Sequence, residues 1–293
     1  MCKQLEISRA AYYKWLNREI PEQEAENMKL AELIKEYDER FNHILGYRRM
    51  TSWINHFNHT DYKPKRVHRI MKKLGIHSVI RRKQKKYTSS TPEAVAENRL
   101  GRDFYATAPN EKWTTDVTEF KIPGEKKKLY LSAILDLYDR YPVAYVISTR
   151  NNNELVFKTF DKAIAANPEA KPLFHSDRGF QYTSKAFKLK LDKVSAIQSM
   201  SRIGRCIDNG PIEGFWGIIK SEMYQMYDIT NESSLRFAIK DYIRFYSEKR
   251  PQDRYHCKTP LEVRAEALST ATPQQYLIPK NKRIEKYKEK WCA

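Results

Sequence analysis

The chain has 293 residues, of which 41 % are hydrophobic, so it is long enough for about two domains of roughly 100–200 residues, each with its own core. Its formal net charge of +18 favours a polyanionic partner, first of all nucleic acid. It has no run of 18 apolar residues, no apolar signal segment at its start, and only four widely spaced cysteines, which suggest neither a disulfide framework nor a zinc site. We therefore expect a reduced, intracellular protein.

The first hundred residues have the apolar spacing of helices. Ser8 is a plausible N-cap for the helical segment ISRAAYYKWLNRE, and we interpret residues 1–20 as a partial helix-turn-helix whose first helix is almost missing. Residues 21–86 are predicted to be a helix-turn-helix DNA-binding domain. Its helical segments are an acidic amphipathic stretch at 23–39, a helix from Tyr47 to Phe57, and an apolar stripe of Val67, Ile70, Met71 and Leu74.

A basic run covers residues 63–86, which contain eleven lysines or arginines and no acidic residue. Such a run is commonly a solvated face, but the absence of counter-charges favours contact with phosphates. The residues of this run that we expect to bind DNA are Lys63, Lys65, Arg66, Arg69, Arg81, Arg82 and Lys83.

Residues 87–107 are polar and unperiodic and are interpreted as a linker, after which the pattern changes to strands and helices. The predicted strands are 111–122, 128–138, 143–149, 172–177 and 194–201, and the predicted helices are 151–167, 184–192, 208–227 and 233–247. The second and third strands flank a short turn and should form an antiparallel hairpin. This order predicts an α/β domain at 108–268, a mixed five-stranded sheet with flanking helices, followed by a basic tail at 269–293.

Three carboxylates occupy positions that favour function over packing. Asp116 lies inside the first strand, Asp177 ends the fourth, and Glu213 lies in the first turn of the helix that starts near Asp208. Singly, each has a structural alternative as a turn former or a helix-dipole partner. If the first and fourth strands are neighbours, however, the three converge into an all-oxygen ligand set that suits Mg²⁺ or Mn²⁺. Two such ions can stabilise the attacking and leaving oxygens in phosphoryl transfer. The strongly positive charge of the chain agrees with a phosphate-rich substrate.

The predicted helix after Asn209 supports the same hypothesis. Glu213, Gly217 and Lys220 share one face, where an exposed Lys220 would reach a DNA phosphate just beyond the metals. Trp216 falls on the adjacent apolar face, and we favour a core position for it over a base-stacking role.

These residues resemble a known family. The 35 residues between Asp177 and Glu213, with Lys220 seven positions later, are similar to the DDE signature of retroviral integrases and insertion-sequence transposases. The segments WTTDVTEF, HSDRGFQYTS and SMSRIGRCIDNGPIEGFWGIIKSE closely resemble the OrfB-type transposases of bacterial insertion sequences, and the resemblance covers nearly the whole chain. It implies a ribonuclease H-like core, Mg²⁺ held by Asp116, Asp177 and Glu213, and cleavage and joining of element ends.

The resemblance also implies partners and a location. The partners are the element ends, target DNA, further copies of the chain on DNA, and an upstream reading frame that is often fused by frameshifting; the location is the nucleoid of the bacterial cytoplasm. An inactive DNA-binding relic that acts as a repressor, or a structure-selective nuclease without a joining step, stay open as alternatives. His175 could assist the chemistry or merely pack, and Asp136 is a rival carboxylate that we interpret as structural.

Overall fold

A computed structural model describes Cys2 and residues 7–18, 21–80, 96–203 and 205–278, which divide into an N-terminal unit, Met1–Val79, and a C-terminal unit, Ile80–Ala293. Of the expected DNA-binding residues, Arg81, Arg82 and Lys83 lie outside the described residues, as do much of the linker and most of the tail. Within the described part, none of the helices has the length and hydropathy to cross a membrane.

Among its described residues, the N-terminal unit contains helices and no strands. They are α1 Arg9–Leu16, α2 Glu22–Arg40, α3 Tyr47–Asn58 and α4 Pro64–Leu74. Ser8 caps α1 as predicted, because its hydroxyl accepts the Ala11 N–H at 3.1 Å. The predicted apolar stripe of α4 is also confirmed, since Val67, Ile70 and Met71 are buried.

The turn between α3 and α4 is held by one side chain. The Asn55 carboxamide donates to the Tyr62 carbonyl at 3.0 Å and accepts the Tyr62 N–H at 2.9 Å. It also accepts the Thr60 hydroxyl at 3.0 Å. These bonds satisfy the turn's polar groups locally and fix the start of α4, where Pro64 occupies the first turn. The pair α3–turn–α4 is thus a compact helix-turn-helix element.

The C-terminal unit has the predicted order of strands and helices. The strands are β1 Lys112–Lys121, β2 Lys128–Asp136, β3 Pro142–Ser148, β4 Leu173–Ser176 and β5 Ile197–Met200. The helices are α5 Asn153–Ala166, α6 Phe180–Thr183, α7 Lys185–Lys193, α8 Gly210–Met226, α9 Glu232–Glu248 and α10 Pro260–Leu268.

The five strands form one mixed sheet in the order β3-β2-β1-β4-β5. β2 pairs antiparallel with β1 and β3, which confirms the hairpin, while β4 pairs parallel with β1 and β5. The adjacency of the first and fourth strands, on which convergence of the carboxylates depends, is therefore present. The predicted mixed five-stranded sheet with flanking helices is confirmed.

Alternation along β1 assigns its two faces. Trp113 and Thr115 point to the side of α5, α6 and α7, where Trp113 joins a buried aromatic cluster with Phe160, Phe174 and Phe187. Thr114 and Asp116, one residue out of phase, point to the opposite side. That side is covered by α8, which packs on β1, and α8 in turn packs on α9. The site therefore lies on the α8 face of the sheet.

Three elements differ from the sequence prediction. The short helix α6 was not predicted. β5 begins at Ile197 and not at 194, because Val194 ends α7 and Ser195 adopts a left-handed conformation with φ of 57°. Helix α10 was not predicted. It is anchored by Arg264, whose guanidinium donates to Asp139 at 2.9 Å and to Asn110 at 2.7 Å.

Candidate active site

Asp116 and Asp177 come from neighbouring parallel strands. The register pairs Lys112 with Leu173 and Thr114 with His175, an offset of 61 residues, and the same offset relates Asp116 to Asp177. Paired residues of parallel strands point to the same face of a sheet. The two aspartates therefore lie side by side where β4 ends, as the sequence predicted.

Asp177 is held by a tight turn immediately after β4. Its Oδ1 accepts the Gly179 N–H at 2.9 Å, an Asx-type contact. A Cβ at position 179 would lie 3.0 Å from that same oxygen and 2.9 Å from the Gln181 Oε1, so a larger residue would require both side chains to shift. The neighbouring Arg178 does not neutralise the carboxylate, because its Nε donates to the Ser201 carbonyl at 2.6 Å.

Glu213 is positioned by the segment in front of α8. Asn209 ties this segment to β1, because its Nδ2 donates to the Thr115 carbonyl at 3.0 Å and its Oδ1 accepts the Thr114 hydroxyl. Pro211 starts the helix, and Glu213 lies in its first turn, where an acidic side chain is favourable.

Asp208 also fixes the segment in front of α8, through hydrogen bonds with two arginines. It is fully buried and accepts hydrogen bonds from Arg102 at 2.6 Å and from the Arg202 Nε at 2.8 Å. Burial opposes ionisation, but the bonds from the two arginines hold the pKa of Asp208 below its usual value. The sequence suggested only that Asp208 and Asn209 begin a helix. It did not predict the bonds of Asn209 to β1 or the pairing of Asp208 with two arginines.

Electrostatics distinguish Asp116, Asp177 and Glu213 from an ordinary set of surface acids. Burial, and next the charge of Asp177, raises the pKa of Asp116 to about 8. Burial raises the pKa of Asp177, and burial together with the charge of Asp177 raises that of Glu213. Among the residues that the structure describes, no lysine or arginine forms an ion pair with any of the three. Their negative charges are thus partly desolvated, mutually repulsive and without a counter-charge.

The donor set suits a hard divalent cation. Carboxylate oxygens are the ligands that Mg²⁺ and Mn²⁺ prefer, and a cation would relieve the repulsion that raises these pKa values. Among the described residues, the three side chains are not drawn together into a ready-made set of metal ligands. The fit therefore rests on donor chemistry and on the shared face of the sheet.

Trp216 connects α8 to the first aspartate. Its indole is 6 % exposed, which agrees with the expected core position, and its N–H donates to the Asp116 Oδ2 at 3.0 Å. Helical periodicity places Trp216 on the buried face but carries no signal for this bond to β1.

Lys220 is placed differently from the prediction. The expectation of an exposed side chain is wrong, because Lys220 is part-buried and its Nζ donates to the Thr118 hydroxyl at 2.5 Å. The ammonium also lies 5.4 Å from the centre of the Phe120 ring. It remains at the edge of a 330 Å³ surface cavity lined by Glu119, Lys121, Pro123, Lys220 and Tyr224. Thr118 follows Asp116 by two residues on the same face of β1, so the lysine ammonium lies on the face that carries Asp116 and does not pair with that carboxylate.

His175 and Asp136 are engaged in packing contacts. The two ring nitrogens of the fully buried His175 lie 2.9 Å from the Ser199 hydroxyl and 3.1 Å from the Ser201 hydroxyl, and burial lowers its pKa to about 4. It is therefore a neutral, hydrogen-bonded core residue. Asp136 is also fully buried, and it accepts hydrogen bonds from Asn110, Trp113 and Arg264, which confirms its structural interpretation.

The expected DNA-binding residues of the N-terminal unit lie on α4 or just before it. Lys65 and Arg69 are exposed, and Lys63 is exposed but pairs with Asp61 at 2.6 Å. Arg66 is different, because it donates to Asn27 and Glu26 of α2, both at 2.9 Å. Its guanidinium thus joins α4 to α2 within the unit.

Family models match both units of the chain. An integrase core domain model matches residues 106–206, a second integrase core domain model matches 213–276, and an HTH-like domain model matches 25–84. The integrase core matches together include Asp116, Asp177 and Glu213.

Full-length relatives decide the family. The chain is 37 % identical over 264 residues to the putative transposase InsK for insertion sequence element IS150 of Escherichia coli, an alignment that covers 88 % of this chain and 90 % of that protein. The chain belongs to the insertion-sequence transposases. It is also 30 % identical over 248 residues to the transposase for insertion sequence element IS904 of Lactococcus lactis, which covers 84 % of this transposase and 97 % of that one. The family lies within the DDE superfamily, as the sequence resemblance implied.

Proposed function

We propose that this DNA transposase cleaves and joins the ends of its insertion sequence by metal-dependent phosphoryl transfer, with Asp116, Asp177 and Glu213 as the metal ligands and catalytic residues. The observation that carries the proposal is the placement of three carboxylates on the α8 face of the sheet, close enough to raise one another's pKa and without a counter-charge among the described residues. Mg²⁺, or Mn²⁺ in its place, would supply electrostatic stabilisation of the attacking and leaving oxygens of a phosphodiester.

The residues of the chain prepare the site for this chemistry. The Val117, Gly179 and Trp216 N–H groups orient the two aspartates. Asn209 and Asp208 fix the start of α8 and with it Glu213. In the first reaction water breaks a phosphodiester bond at the element end and leaves a 3′-hydroxyl. In the second, that hydroxyl attacks a phosphodiester of target DNA, forms the new bond and releases a target 3′-hydroxyl, so no covalent protein–DNA intermediate is required.

Lys220 is proposed to contact a phosphate next to the scissile one. Its Nζ is held by the Thr118 hydroxyl beside the carboxylates and faces a surface cavity that also includes Lys121. A single ammonium provides charge without bidentate geometry, which suits a backbone phosphate more than a base edge.

The exposed basic face of α4 is proposed to bind DNA. Lys63, Lys65 and Arg69 lie there, on the second helix of the helix-turn-helix, whose position in such elements suits the major groove. Arg66 contributes by fixing α4 to α2, and the run continues in sequence through Arg81, Arg82 and Lys83.

The test of the catalytic proposal uses DNA that carries the ends of the element encoding the chain. In Mg²⁺, Asp177→Asn should lower cleavage and joining by at least about 100-fold, because it removes charge and keeps size. Gel-shift affinity for the same DNA should remain. Cleavage at the wild-type rate would remove Asp177 from the site, and cleavage without joining in the wild-type chain would favour a nuclease.

The test of the DNA-binding face is the salt dependence of affinity. Replacing Lys65 and Arg69 by alanine should lower the slope of log affinity against log salt by about 1.8, or about 0.9 for each phosphate contact. The exposed pair Lys188 and Lys193 of α7 provides a charge-matched control. An unchanged slope in the α4 variant would show that this face is only solvated.

A further inference from the structure

The indole of Trp216 is fixed on one side by the core and on the other by Asp116. The side chain is 6 % exposed and packs against Phe215, with ring centres 5.1 Å apart. Its N–H is the donor to the Asp116 Oδ2. A rigid aromatic ring that is held by packing cannot follow the carboxylate if the carboxylate rotates.

Two neutral donors thereby define the plane of the Asp116 carboxylate. The Val117 N–H donates to Oδ1 at 2.7 Å, and the Trp216 N–H donates to Oδ2 at 3.0 Å. Each carboxylate oxygen has two lone pairs, so each keeps one for another partner. Because neither donor is charged, neither neutralises the carboxylate in the way that an arginine or lysine would.

We propose that Trp216 is a positioning residue of the metal site: its indole N–H orients the Asp116 carboxylate so that the remaining lone pairs face the cation. This inference rests on the proposed function, because it assigns a role toward the metal that Asp116 is proposed to bind. A hydrogen bond to a metal-binding carboxylate both fixes its orientation and sustains its charge, and removal of such partners typically weakens metal affinity by about 10- to 100-fold.

The same unit contains a second tryptophan–aspartate pair, Trp113 and Asp136, which serves as a control for Trp216 and Asp116. Trp113 also lies in the core and also donates its indole N–H to an aspartate, the Asp136 Oδ2 at 3.3 Å. Asp136, however, is paired with Arg264. The two tryptophans therefore make the same kind of bond, one to a carboxylate without a counter-charge and one to a neutralised carboxylate.

The experiment compares Trp216→Phe with Trp113→Phe in the full chain. Each change keeps an aromatic ring in the core and removes one N–H donor. Mn²⁺ binding is measured from the electron paramagnetic resonance signal of the free ion, with Mg²⁺ as competitor. We expect Trp216→Phe to weaken Mn²⁺ binding by about 10-fold and Trp113→Phe to leave it unchanged. Wild-type affinity in Trp216→Phe, or equal losses in both variants, would overturn the inference.

A second measurement avoids dependence on how well a variant folds. In the wild-type chain with ¹⁵N-labelled tryptophan, Mg²⁺ should shift the indole N–H signal of Trp216 and leave that of Trp113 in place. A stationary Trp216 signal with bound Mg²⁺ would overturn the inference. Asp116→Asn separates the two proposals: if it binds Mn²⁺ like the wild type, the proposed metal site fails, whereas loss of binding there with normal binding in Trp216→Phe rejects only the role of Trp216.

Discussion

Helix α8 carries two glutamates, nine residues apart, with opposite surroundings. Glu222 is 1 % exposed, and its carboxylate accepts two bonds from Arg250, at 2.9 and 3.0 Å, and one from the Tyr242 hydroxyl at 2.7 Å. Glu213 is half-buried near Asp177, and no arginine or lysine of the described residues pairs with it. A carboxylate is buried at low cost only when it is paired and hydrogen-bonded.

The strands repeat this contrast. Asp136 ends β2 and is paired with Arg264, whereas Asp116 lies on β1 with only neutral donors. The pKa of Asp136 is raised by burial even though Arg264 opposes the shift, so a raised pKa alone does not mark function. What distinguishes Asp116, Asp177 and Glu213 is that no arginine or lysine of the described residues pairs with them. The protein neutralises its structural acids with arginine, and the three unpaired acids are the ones that we propose to bind a cation.

The largest expected effect comes from making the same substitution at both glutamates of α8. Glu222→Gln leaves the buried guanidinium of Arg250 without its charge partner and should lower the free energy of unfolding by about 3–5 kcal/mol. Glu213→Gln should leave the free energy of unfolding unchanged or slightly higher, while it abolishes cleavage. Thermal unfolding of the two purified variants measures this. Equal destabilisation by both would mean that Glu213 is also a structural acid.

A smaller effect is expected from the pH dependence of stability without metal. Because the pKa of Asp116 is raised to about 8, the folded state binds this proton more tightly than the unfolded chain, and stability should fall as pH rises from about 4 to 8. Asp116→Asn cannot ionise, so its stability should fall less than that of the wild type over this range, and the Tm of the variant relative to the wild type should rise with pH.

Asp136→Asn is the control for that measurement. It removes an acid that is paired with Arg264, so it should destabilise the protein at pH 8. Addition of Mg²⁺ should stabilise the wild type and not Asp116→Asn, because only a folded chain with the intact ligand set binds the ion. A wild-type Tm that falls no more steeply with pH than that of Asp116→Asn would contradict this expectation.

The smallest effect on stability is expected at Lys220. Its replacement distinguishes a lysine that neutralises the acids from one that contacts a DNA phosphate. If Lys220 neutralised the acids, its loss would destabilise the unit as the loss of a paired arginine would. Because its Nζ bonds to Thr118, Lys220→Ala should change stability by less than about 1 kcal/mol and weaken binding of the element end several-fold. Lys220→Arg should partly restore binding.

The control for Lys220 is Lys128→Ala, which removes a lysine that pairs with Glu119 at 2.9 Å on the neighbouring strand. It should leave end binding at the wild-type level when both variants are compared at fixed salt. A Lys220→Ala chain that unfolds, with Lys220→Arg restoring only stability, would show that this lysine is structural.

The sequence predicted the elements of the sheet and the site, because each depends on local patterns. A stretch rich in β-branched and aromatic residues placed Asp116 inside β1, the end of an apolar run placed Asp177, and a proline near Asn209 placed Glu213 in a first helical turn. Helix α10 also had a sequence signal, which the prediction missed. Thr259 and Glu262 form a capping box, and Pro260 is the first residue of the helix.

Contacts between distant elements were beyond these patterns. Periodicity shows that Trp216 faces the core, but not that Asp116 lies within 3.0 Å of its N–H across 100 residues of chain. The arginines that bind Asp208 and the threonine that holds Lys220 are likewise fixed only by the assembled sheet. Side-chain partners across elements therefore had to come from the structure.

Asp116, Asp177 and Glu213 have no counter-charge among the described residues, and we propose that a divalent cation supplies it. Anomalous diffraction at the manganese edge, from crystals grown with Mn²⁺, would locate such a cation. We expect anomalous density between these three carboxylates and none beside Asp136 or Glu222. Crystals that bind Mn²⁺ elsewhere while the three carboxylates stay free of density would contradict this proposal.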